Sequence, residues 1–125
     1  ATAGELNQIE SLARFGQNLE DAVEAAREAT GWLLENGAAD PNNALAGSVP
    51  YLRMLGTVVC GGLIGRSALV AHAATEAGDD TDFYQAKITS AKFFGEQILP
   101  TAGALLGAVT AGPDDLFALT AEQLA

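Results

Sequence analysis

Apolar residues recur along most of this chain at alternating steps of three and four, the spacing of one helix face. The first stripe runs Leu6, Ile9, Ala13, Gly16, Leu19, Val23, Ala26, Thr30 and Leu33. Glu5, Glu10, Arg14, Glu20, Glu24, Arg27 and Glu28 fall mostly off it, so residues 5–35 read as one long amphipathic helix with Phe15 and Trp32 on its flank. Gly37 follows Glu35-Asn36 and is predicted to end that helix in the left-handed conformation. Asp40 then offers an N-cap acceptor, and Pro41 takes the first helical position, where its missing N–H is not needed. The connection is short, which makes the next helix antiparallel to the first.

From Leu45 a second stripe reads Val49, Leu52, Gly56, Val59, Leu63, Ser67, Val70 and Ala74, with Tyr51, Leu55, Val58, Gly62 and Leu69 beside it. Two adjacent apolar stripes predict a helix covered over a wide arc, the middle member of a bundle. Pro50 leaves residues 42–49 as either a separate first turn or a kinked extension. Gly78 is expected to end this helix, and Asp79, Asp80, Thr81 and Asp82 are alternative caps for the next, with Asp82 and Gln85 at capping-box spacing. The third stripe is the most regular: Tyr84, Ile88, Ala91, Gly95, Ile98, Ala102, Leu105 and Val109. Such a seam suits near-parallel packing at a shallow crossing angle, and Pro100, off the seam, should bend the helix without breaking the packing. After Ala111-Gly112-Pro113 the period is lost. Asp114-Asp115 reads as the cap of a short turn whose Leu116, Phe117 and Leu119 close one end of the bundle, and residues 120–125 as a frayed terminus. The fold class that follows is all-α: one domain over residues 1–125, an up-down-up bundle of three long antiparallel helices with a short C-terminal helical turn. Each long helix has about 30 residues and so spans about 45 Å.

Composition narrows the setting. Hydrophobic residues make up 49% of the chain but aromatics only 6%, an Ala-, Leu- and Val-rich alphabet that favours helices, and the fourteen glycines must end helices or allow close contacts. The formal charge of -10 repels phosphate backbones and anionic headgroups, which argues against nucleic acid and membrane surfaces as partners. The uncharged run from Met54 to Gly65 is too short to span a bilayer, and the run from Gln97 to Pro113, broken by Pro100, Thr101 and Thr110, reads as a buried helix. Cys60, the single cysteine, is expected as a buried thiol behaving as a small hydrophobe, which suits a reducing, cytoplasmic setting. The chain opens on Ala1 without Met, as an excised piece of a longer protein or a chain trimmed of its initiator would.

Candidate chemistry is sparse. His72 has Glu76 one turn on, but a bundle di-metal site needs Glu-x-x-His, and position 69 is Leu, so His72 reads as a surface or satisfied histidine and no metal site is expected. Cys60 has no histidine within reach on its rigid helix, and Thr57, Ser67 and Ser90 are helix-interior hydroxyls without a nucleophile elbow. Gly61-Gly62-x-x-Gly65 lacks the strand that a dinucleotide fingerprint requires, so close helix packing is the expectation. The same holds for the ladders Gly61-x-x-x-Gly65 and Gly103-x-x-x-Gly107-x-x-x-Ala111, for which an intermolecular contact is the alternative. Four cations remain on the second and third helices: Arg53, Arg66, Lys87 and Lys92. Arg53 and Arg66 interrupt apolar stretches, so each must reach solvent, a carboxylate or a partner's anionic group, a paired structural arginine being the expectation.

The segments PYLRMLGTVVCGGLIGRSALVA (Pro50 to Ala71) and FYQAKITSAKFFGEQILPTAGALLGAVTAG (Phe83 to Gly112) resemble the accessory helical domain at the C-terminus of a subset of bacterial acyl-CoA dehydrogenases. The most specific phrases are Tyr51-Leu52-Arg53, Phe83-Tyr84 followed by Ala86-Lys87, and Ile98-Leu99-Pro100 with the Thr110-Ala111-Gly112 ending. The resemblance implies a parent flavoprotein that oxidises an acyl-CoA thioester at the Cα–Cβ bond, with FAD and a carboxylate base supplied upstream. It transfers no catalytic, cofactor-binding or metal residue to this chain. Arg53, Arg66, Tyr84 and Lys87 are the candidates for interface or ligand contact. The implied partner is the remainder of the parent enzyme or a second subunit, with a homo-oligomer possible. Two other readings stay open: a free-standing helical interaction or dimerisation protein, and a small acyl-ligand carrier with Arg53 or Arg66 at the mouth of an apolar slot.

Overall fold

The computed structural model describes residues 1–79 and 81–125, and the candidate cap Asp80 lies outside the described residues. Among the described residues there are helices and turns and no strand. Three helical rods run up, down and up. The first is α2 (Ala13–Ala39), preceded by the short α1 (Thr2–Asn7) and a 3-10 turn (Glu10–Leu12); the second is α3 (Pro41–Glu76). The third starts as α4 (Thr81–Phe93), widens into a π-helical turn (Phe94–Ile98) and finishes as the single turns α5 (Thr101–Ala104) and α6 (Leu106–Val109). A 3-10 turn (Asp114–Phe117) and α7 (Ala121–Leu124) follow.

The expected first helix is therefore not continuous from residue 5. Ile9 is extended (φ -105°, ψ 112°), and α1 folds back beside α2 and α3. The three-four spacing of Leu6, Ile9 and Ala13 crosses this break unchanged, so periodicity alone could not reveal it. Packing explains it: Leu6 is fully buried, with its Cδ1 2.9 Å from where a side chain on Gly65 would begin. Gly16 leaves α2 open to α1 at the backbone oxygen of Ala3 and the side chain of Asn7, and Asn7 also donates to Glu20 Oε1 at 3.0 Å.

At the other end of α2, Gly37 stays helical, and the left-handed cap expected there does not form: the helix continues to Ala39. The space at Gly37 is used for approach, since a Cβ there would lie 3.0 Å from that of Ala44 across the turn. Asp40 alone is extended, and its Oδ1 accepts from the Asn42 N–H at 2.9 Å, with Pro41 opening α3 as expected. Residues 42–49 are the continuous extension of α3 through Pro50. Gly78, at φ +81°, takes the left-handed conformation that ends α3. Asp82 lies within the first turn of α4 and so is not its cap; the capping box occurs instead at Thr120 and Gln123, where the frayed terminus was expected.

One core joins the rods: Leu6, Leu12, Phe15, Leu19, Met54, Ile88, Leu99 and Val109 with alanines of every rod. Phe15, expected on a flank, is at its centre and fully buried. Gly95 sits directly against the Phe15 ring, leaving no room for a Cβ, and Asn18 Nδ2 donates to its carbonyl at 2.9 Å. The widened π turn makes room for this contact and exposes a carbonyl that Asn18 satisfies. It also adds a residue to the turn, so Leu99 (0% exposed) takes the core place predicted for Ile98 (39%). The segments after Pro100 keep Ala102 and Val109 buried, so the packing survives, but the expected buried run from Gln97 to Pro113 is half in solvent. Leu116, Phe117 and Leu119 are exposed and do not close the bundle.

Candidate functional site

The middle helix departs most from expectation. Its buried residues are Gly47, Met54, Gly61, Gly65, Ala68 and Ala71, mostly small. Larger neighbours fill the space: Leu99 and Leu19 reach Gly61, Leu6 and Phe15 reach Gly65, and the backbone of Val109 lies against Gly47. Tyr51 is also on the inner side, its hydroxyl 2.8 Å from Thr30 Oγ1 of α2. The large stripe predicted as core faces out instead: Leu45, Val49, Leu52, Val59, Leu63 and Val70 are exposed. Helix α3 is thus covered on one side only, and the wide buried arc predicted for it is not formed. By length and composition alone α3 could cross a membrane (36 residues, mean hydropathy 1.6 over its most apolar window), although its uncharged run from Met54 to Gly65 is too short to do so. It packs, however, against α2, whose Glu20, Glu24 and Glu28 are exposed and would be costly in a bilayer.

Beside this stripe lies an open groove of about 510 Å³ lined by Arg53, Gly56, Thr57, Cys60, Phe94, Thr101 and Leu105. Cys60 is exposed here, contrary to the expected buried thiol, because the inward line of α3 passes through its neighbour Gly61. Thr57 and Thr101 donate to the carbonyls of Arg53 and Ile98 at 2.9 and 2.6 Å, which leaves the Arg53 guanidinium as the groove's free donor. Arg66 is exposed on the same helix, and neither arginine makes an ion pair among the described residues, so the paired structural role expected for them is replaced by solvent exposure. Thirteen residues separate the two, about 20 Å along the helix, so the structure does not bring them to one ligand. Tyr84 and Lys87 lie on α4 around Phe83: the Tyr84 ring meets Phe83 edge-on at 5.2 Å, and Lys87 Nζ is 5.4 Å from the Phe83 centroid. Tyr84 is half-buried against the core.

His72 is half-buried beside a shallow groove with Gln8, Ile9, Glu10 and Ser11, and no three metal-ligating side chains gather among the described residues. Gly61 and Gly65 pack within the domain as expected, whereas Gly103 and Gly107 face open space and Ala111 is exposed, so the second ladder is not an internal contact. Glu122 in α7 is held below the ordinary glutamate range, first by its backbone hydrogen bond and then by the Thr120 hydroxyl. The groove at Arg53 does not fit FAD: it offers one guanidinium to a pyrophosphate and hydroxyls already committed to backbone carbonyls.

The geometry defines a helical bundle with a closed core on one side and an uncovered apolar helix face on the other. The chain belongs to the family described as Acetyl-CoA dehydrogenase C-terminal like, whose profile matches residues 2–120. It is similar to the 3-methylmercaptopropionyl-CoA dehydrogenase of Ruegeria pomeroyi, 39% identical over 118 residues, which is 94% of this chain and 20% of that protein. It is also similar to the broad-specificity linear acyl-CoA dehydrogenase FadE5 of Mycobacterium tuberculosis, 33% identical over 93 residues, 70% of this chain and 15% of that protein. The chain spans a fifth or less of the length of these curated relatives.

Proposed function

We propose that this chain is the non-catalytic C-terminal helical domain of a flavin-dependent acyl-CoA dehydrogenase, and that it docks through the open side of α3 onto the catalytic body or a neighbouring subunit. The observation that carries this reading is the match over nearly the whole chain to a small part of two much longer acyl-CoA dehydrogenases. The structure supports it from the other direction, since α3 leaves a long apolar face in water that a covering surface would remove. Arg53 and Arg66 flank or interrupt that face and are assigned to contacts with it; Tyr84 and Lys87 on α4 are secondary candidates. FAD, the base and the acyl-CoA site belong to the rest of the parent, whose substrate class is an acyl-CoA thioester and whose compartment is the cytoplasm. Hydride transfer is the flavin's chemistry, and this domain contributes position and cover.

The test compares the parent enzyme, intact and with this domain deleted, with the isolated 125-residue chain. The intact enzyme is expected to carry FAD and to reduce an electron acceptor with acyl-CoA, the deletion to lose stability or change its chain-length profile, and the isolated chain to do neither reaction. Stoichiometric FAD binding with acyl-CoA-dependent reduction by the isolated chain would overturn the non-catalytic assignment.

A further inference from the structure

The open side of α3 carries charge as well as apolar area, and of one sign. From Pro41 to Thr75 the helix has Arg53 and Arg66 and no Asp or Glu, while all sixteen acidic residues of the chain lie elsewhere. Both arginines are exposed, and neither makes an ion pair among the described residues. Arg53 borders the groove of about 510 Å³, whose lining holds no carboxylate. Thirteen residues at about 100° each place the two arginines about 140° apart around the helix axis and about 20 Å apart along it. The exposed side chains of Leu45, Val49, Leu52, Val59, Leu63 and Val70 all fall inside that arc. The two guanidiniums therefore stand on opposite borders of the apolar stripe, diagonally across its middle.

A surface that covers the stripe also strips water from the arginines at its borders. A guanidinium that loses water without gaining an anion is costly, whereas a carboxylate can take two of its N–H groups at once. The bundle supplies no such group, so the covering surface must. We propose that this surface is an apolar patch of the parent's catalytic body flanked by two carboxylates, Asp or Glu, about 20 Å apart so that they meet Arg53 and Arg66 together. The pairing presupposes that the catalytic body covers α3, and gives that body's surface its chemistry. Charge distribution supports it: a chain of net charge -10 repels an acidic surface everywhere except along α3, so the two arginines set which side of the bundle faces the body. A second copy of α3 would bring like charge to like.

Cys60 lies inside the same arc, one helical line on from Arg53, and is exposed in the isolated chain, so its reactivity reports cover. Alkylation of Cys60 by iodoacetamide, read by mass spectrometry of the peptide that contains it, is expected to be about tenfold or more slower in the full-length parent than in the isolated chain. Each variant's rate is taken relative to the same variant of the isolated chain, whose helical circular dichroism should be unchanged because both arginines are exposed and unpaired. Arg53→Glu with Arg66→Glu is expected to remove most of the protection; Arg53→Lys with Arg66→Lys keeps most of it, and Arg14→Glu on α2 keeps all of it. Raising sodium chloride from about 0.1 M to about 1 M shortens the screening length from roughly 10 Å to 3 Å and should weaken the protection. Cys60 labelled as fast in the parent as in the isolated chain overturns the proposal, as does protection that the double reversal and salt leave unchanged, which marks a purely apolar contact. Protection of the isolated chain that rises with its own concentration, or with phosphatidylglycerol vesicles, assigns the face to a second copy or a membrane and overturns it too. FAD content and acyl-CoA oxidation are measured on the same preparations. A parent that lacks both refutes the acyl-CoA dehydrogenase reading, whereas an active flavin-bearing parent with charge-indifferent protection refutes the carboxylate pairing alone.

Discussion

The π turn makes a sharp claim about two adjacent residues. Periodicity puts Ile98 in the core, whereas the structure puts Leu99 there, with Ile98 39% exposed and Leu99 fully buried. Leu99→Ala removes three carbons from water-free surroundings, about 2.4 kcal/mol at roughly 0.8 kcal/mol per carbon. A cavity cost adds to this, because the wall beside Leu99 is Gly61, which has no side chain to collapse inward; Leu99 Cδ1 lies 2.8 Å from where its Cβ would be. The total is expected at about 3–5 kcal/mol, the upper part of the range for such truncations. Ile98→Ala removes as many carbons, but much of that surface already meets water, so about 1 kcal/mol is expected. Urea unfolding followed by far-UV circular dichroism measures both, with equal slopes required before the midpoints are compared. An Ile98→Ala loss equal to or larger than that of Leu99→Ala would show an unbroken α-helical register and refute the π turn.

Further expectations rest on single contacts. Gly95→Ala forces a methyl into the Phe15 ring and should cost about 1–3 kcal/mol, whereas Gly31→Ala, in open space on α2, should gain about 0.5–1 kcal/mol; thermal midpoints separate the two. Asp40→Ala removes the acceptor for the Asn42 N–H and should lower stability by about 1 kcal/mol in the same unfolding assay. Glu122, whose carboxyl titrates below the usual range, supports α7 above its unfolded pKa; that support is lost as pH falls through the lowered folded value, and pH-dependent NMR shifts of Ala121–Leu124 should report it.

By itself the sequence determined that this chain is helical and where α2 hands over to α3, and it placed the buried face of α2 to within one position, since Gly16, Leu19 and Ala26 of its stripe are buried while Phe15, Ala22 and Ala29 take the places beside it. Each of these depends on neighbours a turn or less apart: the stripe from Gly16 to Leu33, Asp40 and Pro41 as cap and first residue, and Gly78 as stop. The family was legible too, in the phrases around Tyr51 and Phe83. Tertiary structure alone decided which face of α3 is inside. Its large stripe and its line of small residues are equally periodic, and hydrophobicity by itself favours burying the large one. The bundle buries the small one because Phe15, Leu6, Leu19 and Leu99 project from the neighbouring elements and need the space that Gly61 and Gly65 leave. The break after α1 and the π turn have the same origin, since both bring a distant side chain to a glycine. The candidate surface was therefore visible in the sequence as a pattern but misplaced to the core: periodicity marks a face of a helix, and only the volumes of its neighbours determine which side that face is on.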